Sequence, residues 1–333
     1  MRAPVTIAKS GAVWRESTPI ASKAYGRALL ALAEADPRIV CLGADLTGPT
    51  ETDLFRDRLP DRFFNLGVAE ANLMCVASGM ARTGDIPFVN TFGVFASRRS
   101  FDQVTLQIAY PRANVKLVGF MPGLTSPGGP THQATDDVAM MRALPGMVVM
   151  EPACATHVAP MLAALVAHDG PAYMRIKRGD LPLLFTAETC PPIGKGQVVR
   201  RGRDGWILAS GVMVTLALEA MEMLAEQGIE AGLVNLPTIK PLDVALVAEL
   251  AGEGKPMLVA ENHSVVGGLG SAVAEVIAES GHALPFGRLG VEDVFAEGAG
   301  APFLFDKYGL SAGAIAGRFA TLSARNRGMS PVP

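Results

Sequence analysis

Short apolar runs alternate with helix-length amphipathic segments along most of this chain, and that alternation leaves few architectures open. Apolar positions recur at helical spacing over residues 20–35 and stop at Asp36-Pro37, a pair that ends helices. Residues 38–43 (RIVCLG) read as a buried strand, followed by the loop ADLTGPT. The alternation continues as helix 69–82, strand 86–90, helix 96–109, strand 115–119, helix 134–142, strand 147–150, helix 155–168 and strand 172–176. Strands separated by helices at this pitch predict a parallel sheet with helices on both faces. Ligands in such sheets bind beyond the carboxyl ends of the strands. The loops ADLT, NTFGVF and TSPGGPTHQ all follow predicted strands, so they are expected to meet at one edge.

A second α/β unit follows. Residues 179–195 hold three prolines without a clear period and read as a connection. Beyond them come strand 206–209, helix 212–227, strand 231–235, a helix after Pro241 ending near Gly252, strand 256–261, helix 267–280 and a terminal helix 310–325. The expected organisation is two doubly wound domains, 18–180 and 196–325, joined by a linker at 181–195. Residues 1–17 are expected to form a loose arm, and those beyond 325 a disordered tail.

Composition narrows the function. Apolar residues make up 49% of the 333 positions and charged residues 18%, which suggests surface buried against another chain. No run of eighteen or more uncharged apolar residues, roughly the length a membrane span requires, appears. A formal net charge of −3 gives no footing for nucleic acid. Cys41, Cys75, Cys154 and Cys190 lie far apart, form no CxxC pair and read as reduced, mostly buried thiols. The N-terminal run lacks the apolar core of a signal peptide, so a cytoplasmic protein is expected. There is no HExxH, no Cys/His metal cluster and no GxSxG.

One stretch carries the chemistry: FNLGVAEANLMCVASGMARTGDIPFVNTFGVFASRRSF, residues 64–101. Glu70 opens a predicted helix among Leu66, Val68, Ala69, Leu73 and Met74. A carboxyl group in apolar surroundings is costly to ionise, and its pKa rises unless a partner compensates. Such a group suits proton exchange with a heterocycle. Phe92 and Phe95, just after a strand, could offer that ring a flat face. His132, in the Gly/Pro loop SPGGPTHQ, could donate to a carbonyl or alkoxide or move a proton near neutral pH. Read without further context, Glu70 is equally a helix-start charge, the two phenylalanines core, and His132 a surface residue.

The run NLGVAEANL…ASGMA…G…PFVNTFGVF closely resembles the pyrimidine-binding domain of transketolase-type, thiamine diphosphate-dependent enzymes, and the second half, with ENHSVVGGLGSA, resembles their C-terminal domain. The resemblance implies that Glu70 hydrogen-bonds the cofactor's aminopyrimidine and promotes its imino tautomer, and that Phe92 and Phe95 pack on that ring. It implies that Asp45 of GADLT sits near the cofactor at a subunit interface, and that Leu46 props the cofactor into its bent shape. It places His132 of GPTHQ at the reacting hydroxyl or carbonyl. The reaction implied is transfer of a two-carbon ketol unit from a ketose to an aldehyde.

Departures from the family pattern are informative. The GDG…N signature that holds diphosphate and Mg²⁺ is missing, and the resemblance spans only the C-terminal half of a full transketolase. No metal ligand is therefore expected on this chain. The expected partner is an N-terminal subunit that carries the diphosphate and Mg²⁺ site, in an α2β2 assembly with self-dimer contacts. A deoxyxylulose phosphate synthase-like protein, a 2-oxo acid dehydrogenase β subunit and a non-catalytic completing subunit are the alternatives. Positions that clamp a sugar phosphate in the family fall on Ser22, Pro49, Phe120 and Arg178, of which Arg178 alone keeps its character. The acidic residue that usually precedes GPTH is replaced by Gly128. A substrate that is unphosphorylated, or bears a monoanion read by Arg178 in a pocket made more apolar by Phe120, is expected.

Overall fold

The computed structural model describes residues 12–326. The first section runs through β1 (Ile20–Ala21), α1 (Ala24–Ala35), β2 (Ile39–Gly43), α2 (Asp53–Arg58), β3 (Phe63–Asn65), α3 (Glu70–Arg82) and β4 (Ile86–Phe92). It continues through α4 (Phe101–Gln103), β5 (Lys116–Phe120), α5 (Asp137–Ala143), β6 (Val148–Met150), α6 (Ala155–Ala167), β7 (Ala172–Ile176) and β8 (Leu181–Pro182). The second holds β9 (Gln197–Arg200), β10 (Gly205–Ala209), α7 (Met213–Glu226), β11 (Ala231–Asn235), β12 (Thr238–Lys240) and α8 (Val244–Gly252). It closes with β13 (Met257–Ser264), α9 (Leu269–Ser280), β14 (Phe286–Val291), α10 (Ala301–Lys307) and α11 (Ala312–Asn326).

Two sheets result, of order β12-β6-β7-β5-β4-β2-β3 and β14-β13-β10-β11-β9. Each is parallel apart from one antiparallel edge strand, β12 in the first and β9 in the second. The central strands β2, β4, β5 and β7 are buried throughout, as the inner strands of a sheet covered on both faces are. The fold is thus the α/β doubly wound pair that the alternation predicts.

Several local differences have physical causes. The helix expected from residue 20 starts at Ala24, because Ile20–Ala21 pairs with β8 and Lys23 takes a left-handed backbone (φ 52°). The helix expected over 96–109 is broken into π-helical turns, Phe95–Arg99 and Val104–Ala109, around α4. Hydroxyls invade its ladder: Ser97 Oγ donates to Gly93 O at 2.8 Å, Ser100 Oγ to Phe95 O at 3.0 Å, and Thr105 Oγ1 to Phe101 O at 2.7 Å. The helix expected from 134 begins at Asp137, since Ala134 is held in a bridge to Pro122. Phe63–Asn65, too short to show a period, was not anticipated and pairs with β2 at the sheet's edge.

The two sections are stitched together. β12, from the second, extends the first sheet at β6, and Lys240 Nζ donates to Arg142 O at 2.7 Å and to Leu144 O. One apolar cluster runs from Leu42, Leu73 and Leu117 through Met141 to Leu236, Val247 and Val259. Residues 12–17 are not loose: Trp14 is buried in the second section's core, and Arg15 N donates to Glu219 Oε1 at 2.9 Å. Residues 1–11 of the expected arm, and the expected tail beyond 326, lie outside the described residues. All four cysteines are free, and Cys75 is exposed rather than buried.

Candidate active site

The strand order places the singled-out loops along one sheet edge. Running across it, the carboxyl ends of β3, β2, β4, β5 and β7 lead to Glu70, Asp45, Phe92, His132 and Arg178 respectively. Adjacent strands lie about 4.8 Å apart, so the first four can face one ligand of nucleobase size while Arg178 stands further along the row.

Glu70 opens α3, where the helix N-terminus favours a carboxylate. Its side chain is only 2% exposed. Leu73, Met74 and Ala77 pack beneath it in the core, while Val68, expected to add to the apolar setting, faces solvent. The compensating partner is Arg99, whose Nη1 donates to Glu70 Oε1 at 2.8 Å. The other oxygen, Oε2, is buried without a hydrogen-bond partner among the described residues. A buried polar oxygen left open costs about 1–3 kcal/mol, so this oxygen is poised for a hydrogen-bond partner from outside the chain.

The aromatic pair stands beside it. Phe92, at the end of β4, and Phe95, in the first π-helical turn, lie with ring centroids 5.8 Å apart and planes inclined by 27°. Arg99 bridges acid and ring, its guanidinium carbon 4.0 Å from the Phe95 centroid. The His132 ring meets Phe95 edge-on at 5.4 Å and Phe92 at 6.3 Å. Thr131 Oγ1 lies 2.9 Å from His132 Nδ1, and Nε2 has no hydrogen-bond partner among the described residues. Arg98 latches this loop: its Nε reaches both Asp136 oxygens, at 2.9 and 2.8 Å, and its Nη1 donates to Pro130 O at 3.0 Å. Gly128 lies directly against the histidine, for a Cβ there would come within 2.7 Å of His132 Cβ and 2.9 Å of its Cγ.

Asp45 takes a left-handed backbone (φ 58°), which aspartate tolerates better than most residues. Its N–H donates to Asn65 Oδ1 at 2.9 Å, and Asn65 Oδ1 also accepts from Gly67 N at 3.2 Å, tying the β2 and β3 loops together. Leu46 is half-buried against the first section's core. Arg178 is exposed and has no side-chain partner among the described residues. Ser22 donates to Asp180 Oδ1 across the β1–β8 pairing, which brings it to the same rim as Arg178. Phe120 does not line this rim: it is fully buried, edge-on to Tyr25 at 5.2 Å, so the expected apolar contribution to the pocket is corrected.

Sequence reasoning missed Arg98, Arg99 and Asn65. The two arginines were legible only as a basic doublet after the aromatic pair, and spacing gave no sign that Arg99 folds back onto Glu70. Among the described residues, no group of three or more His, Cys, Asp or Glu could hold a metal ion, and no helix is long and apolar enough to cross a membrane.

A buried acid, stacked aromatics and a histidine thus stand together at the carboxyl edge of a doubly wound parallel sheet, where proteins of this α/β class bind ligands. Residues 18–182 match the family described as transketolase, pyrimidine binding domain, and residues 194–315 match transketolase, C-terminal domain. The chain belongs to the transketolase family. It is 46% identical to the transketolase family protein y4mN of Sinorhizobium fredii over 86% of this chain and 84% of that one. It is 43% identical to the 6-deoxy-6-sulfo-D-fructose transketolase subunit SqwH of a Clostridium species, over 86% of this chain and 89% of that one. A solved structure described as a split gene transketolase, inactive beta4 tetramer, superposes with a TM-score of 0.84 at 41% identity, covering 91% of this chain and 97% of that one. The chain spans about half the length of the 1-deoxy-D-xylulose-5-phosphate synthases it matches, 47% of one from Synechococcus at 37% identity. Membership of this family implies dependence on thiamine diphosphate.

Proposed function

We propose that this chain is the pyrimidine-side subunit of a two-component transketolase, moving a two-carbon ketol unit from a ketose to an aldehyde once a partner chain supplies the diphosphate and Mg²⁺ site. The observation that carries the reading is the buried, unpartnered Glu70 Oε2 beside Phe92, Phe95 and His132. These residues fit an aminopyrimidine: an open carboxyl oxygen able to share a proton with a ring nitrogen in a dry setting, next to a flat apolar face. When bound, thiamine diphosphate supplies the carbon nucleophile and the electron sink for breaking and making the bond beside a carbonyl. Glu70 Oε2 would share a proton with a ring nitrogen of the pyrimidine, donating it to the nitrogen lone pair as the imino tautomer forms, while Arg99 holds Oε1 and fixes the carboxyl group's orientation. Phe92 and Phe95 hold the ring and exclude water. In the tautomer where the Thr131 hydroxyl donates to Nδ1, His132 would carry its proton on Nε2 and could donate it to the substrate oxygen that gains charge. Asp45 and Leu46 flank the cofactor on the β2 side.

The two-component reading draws support from relatives named as a subunit and as a transketolase C-terminal section, and from the split-gene tetramer described as inactive. For the substrate, Arg178 is the cation offered to an anionic group at this rim, joined by Ser22, whose hydroxyl is already engaged. One arginine suits a monoanion better than a phosphate dianion. The sulfosugar in the name of the Clostridium relative is of that kind, and we propose the same class here. The test is kcat/KM of the reconstituted complex for a sulfonated ketose, xylulose 5-phosphate and a neutral ketose. A clear preference for the sulfonate is expected; xylulose 5-phosphate as the best donor would overturn the substrate assignment.

A further inference from the structure

The loop that presents His132 is held at its start by a side chain from the other section of the chain. Asn262, on β13, is 1% exposed and reaches over the carboxyl end of β5. Its Nδ2 donates to Pro122 O at 2.9 Å, and its Oδ1 accepts from Leu124 N at 2.8 Å. The amide thus grips both sides of Gly123, as a neighbouring strand would. Gly123 has a left-handed backbone (φ 52°), and a Cβ there would lie 2.2 Å from Asn262 O and 2.3 Å from its Oδ1. Only glycine admits so close an approach. Asn262 is itself fixed, since its backbone carbonyl accepts from Arg175 Nη2 at 2.9 Å. Arg175 is buried and paired with Asp137 at 2.9 Å and Glu151 at 3.0 Å. At the far end of the loop, Gln133 Nε2 donates to Ser126 O at 3.2 Å and to Glu297 O at 3.1 Å, again tying it to the second section.

We infer that Asn262 is a positioning residue: by clasping the Pro122–Leu124 turn it sets the loop that holds the His132 ring against Phe92 and Phe95. The second section then contributes to the reaction through this contact, besides packing against the first. The inference rests on the role proposed above for His132. An aspartate at 262 keeps shape and the acceptor for Leu124 N, but sets oxygen against the Pro122 carbonyl. A serine loses the two-sided grip.

The test is a double-mutant cycle in the reconstituted complex, combining Asn262→Asp with His132→Ala and repeated with Asn262→Ser. Asn262→Asp is expected to lower kcat at least tenfold with His132 present and less than twofold in its absence. Equal losses in both backgrounds, or no loss in the first, would overturn the inference. Hydrogen exchange on the full chain, without partner or cofactor, supplies a readout independent of activity. The non-proline backbone amides of residues 123–133 are expected to exchange faster in both variants while those of β10 and β11 stay unchanged; unaltered exchange over 123–133 contradicts the clasp. A wild-type complex without ketol transfer would refute the proposed function, and the exchange result would still decide whether Asn262 holds the loop.

Discussion

Replacing Glu70 by Gln separates a residue kept for chemistry from one kept for folding. The substitution preserves shape and leaves Oε1 as an acceptor for Arg99 Nη1. What is lost is the charge in that bond and the carboxylate's favourable place at the start of α3. A charge-assisted hydrogen bond is worth roughly 1.5–3 kcal/mol. Because the Arg99 side chain is 46% exposed, solvent screening reduces the loss to about 1 kcal/mol or less. The helix-terminus contribution adds about 0.3–1 kcal/mol. Against these stands relief of a desolvated charge, since the amide Nε2 that takes the place of Oε2 is left equally without a partner but is neutral. The losses together come to at most about 2 kcal/mol, so Glu70→Gln should change the unfolding free energy of the isolated chain by no more than that, less than the roughly 3–5 kcal/mol typical of breaking a buried pair. Deuterium exchange at the thiazolium carbon in the reconstituted complex should nevertheless fall by about 10²–10⁴-fold. Urea unfolding measures the first quantity and proton NMR the second. A destabilisation above about 3 kcal/mol would make Glu70 a structural acid, and unchanged exchange would remove it from the chemistry.

Gly128→Asp restores the acidic residue usual before GPTH, yet its Cβ would press on His132, so ketol transfer should drop at least about tenfold rather than improve. Steady-state kinetics of the complex decide this, and a gain in kcat would contradict the packing argument. Arg178→Ala should lower kcat/KM for anionic sugars by about 10–100-fold and leave neutral acceptors untouched; equal losses for both would show that Arg178 reads no charge. Burial pushes the Lys116 pKa down to about 7 from 10.5, while its ammonium donates to His168 O and Gly170 O, both at 2.7 Å. Between those two values the unfolded chain keeps a proton that the folded chain has released, so this residue makes stability rise with pH. Lys116→Met should abolish that rise in urea midpoints measured at about pH 7 and 9.5, and parallel curves for mutant and wild type would refute the assignment.

The fold was legible wherever burial left a strong period. β2, β4, β5 and β7 stand out because a parallel sheet covered on both faces favours largely apolar runs, interrupted here by buried, hydrogen-bonded groups such as Asn90, Lys116 and Arg175. Phe63–Asn65 and Thr238–Lys240 did not, because edge strands of three residues carry no period and are fixed by their neighbours. The 95–109 segment has a helical pattern, but its serines and threonine bond back to the main chain and turn the ladder into π-turns, which composition alone does not reveal. Motifs marked Glu70, Phe92, Phe95 and His132. The contacts that orient them were illegible because they cross long sequence distances: Arg99 to Glu70, Asn65 to Asp45, and Asn262 to the turn before the His132 loop. Counting along motifs also misjudged Phe120, since a strand residue's exposure depends on what packs over it, here Tyr25.

The central claim is that this chain holds the pyrimidine side of the cofactor and depends on a second chain for the rest. Calorimetric titration of thiamine diphosphate, with Mg²⁺ present, into the chain alone and into its complex with a chain carrying the diphosphate signature tests it most directly, read alongside a coupled ketol-transfer assay on the same samples. The account predicts weak binding and no turnover by the chain alone, with tight binding and turnover in the complex. Robust ketol transfer by the isolated chain would contradict it.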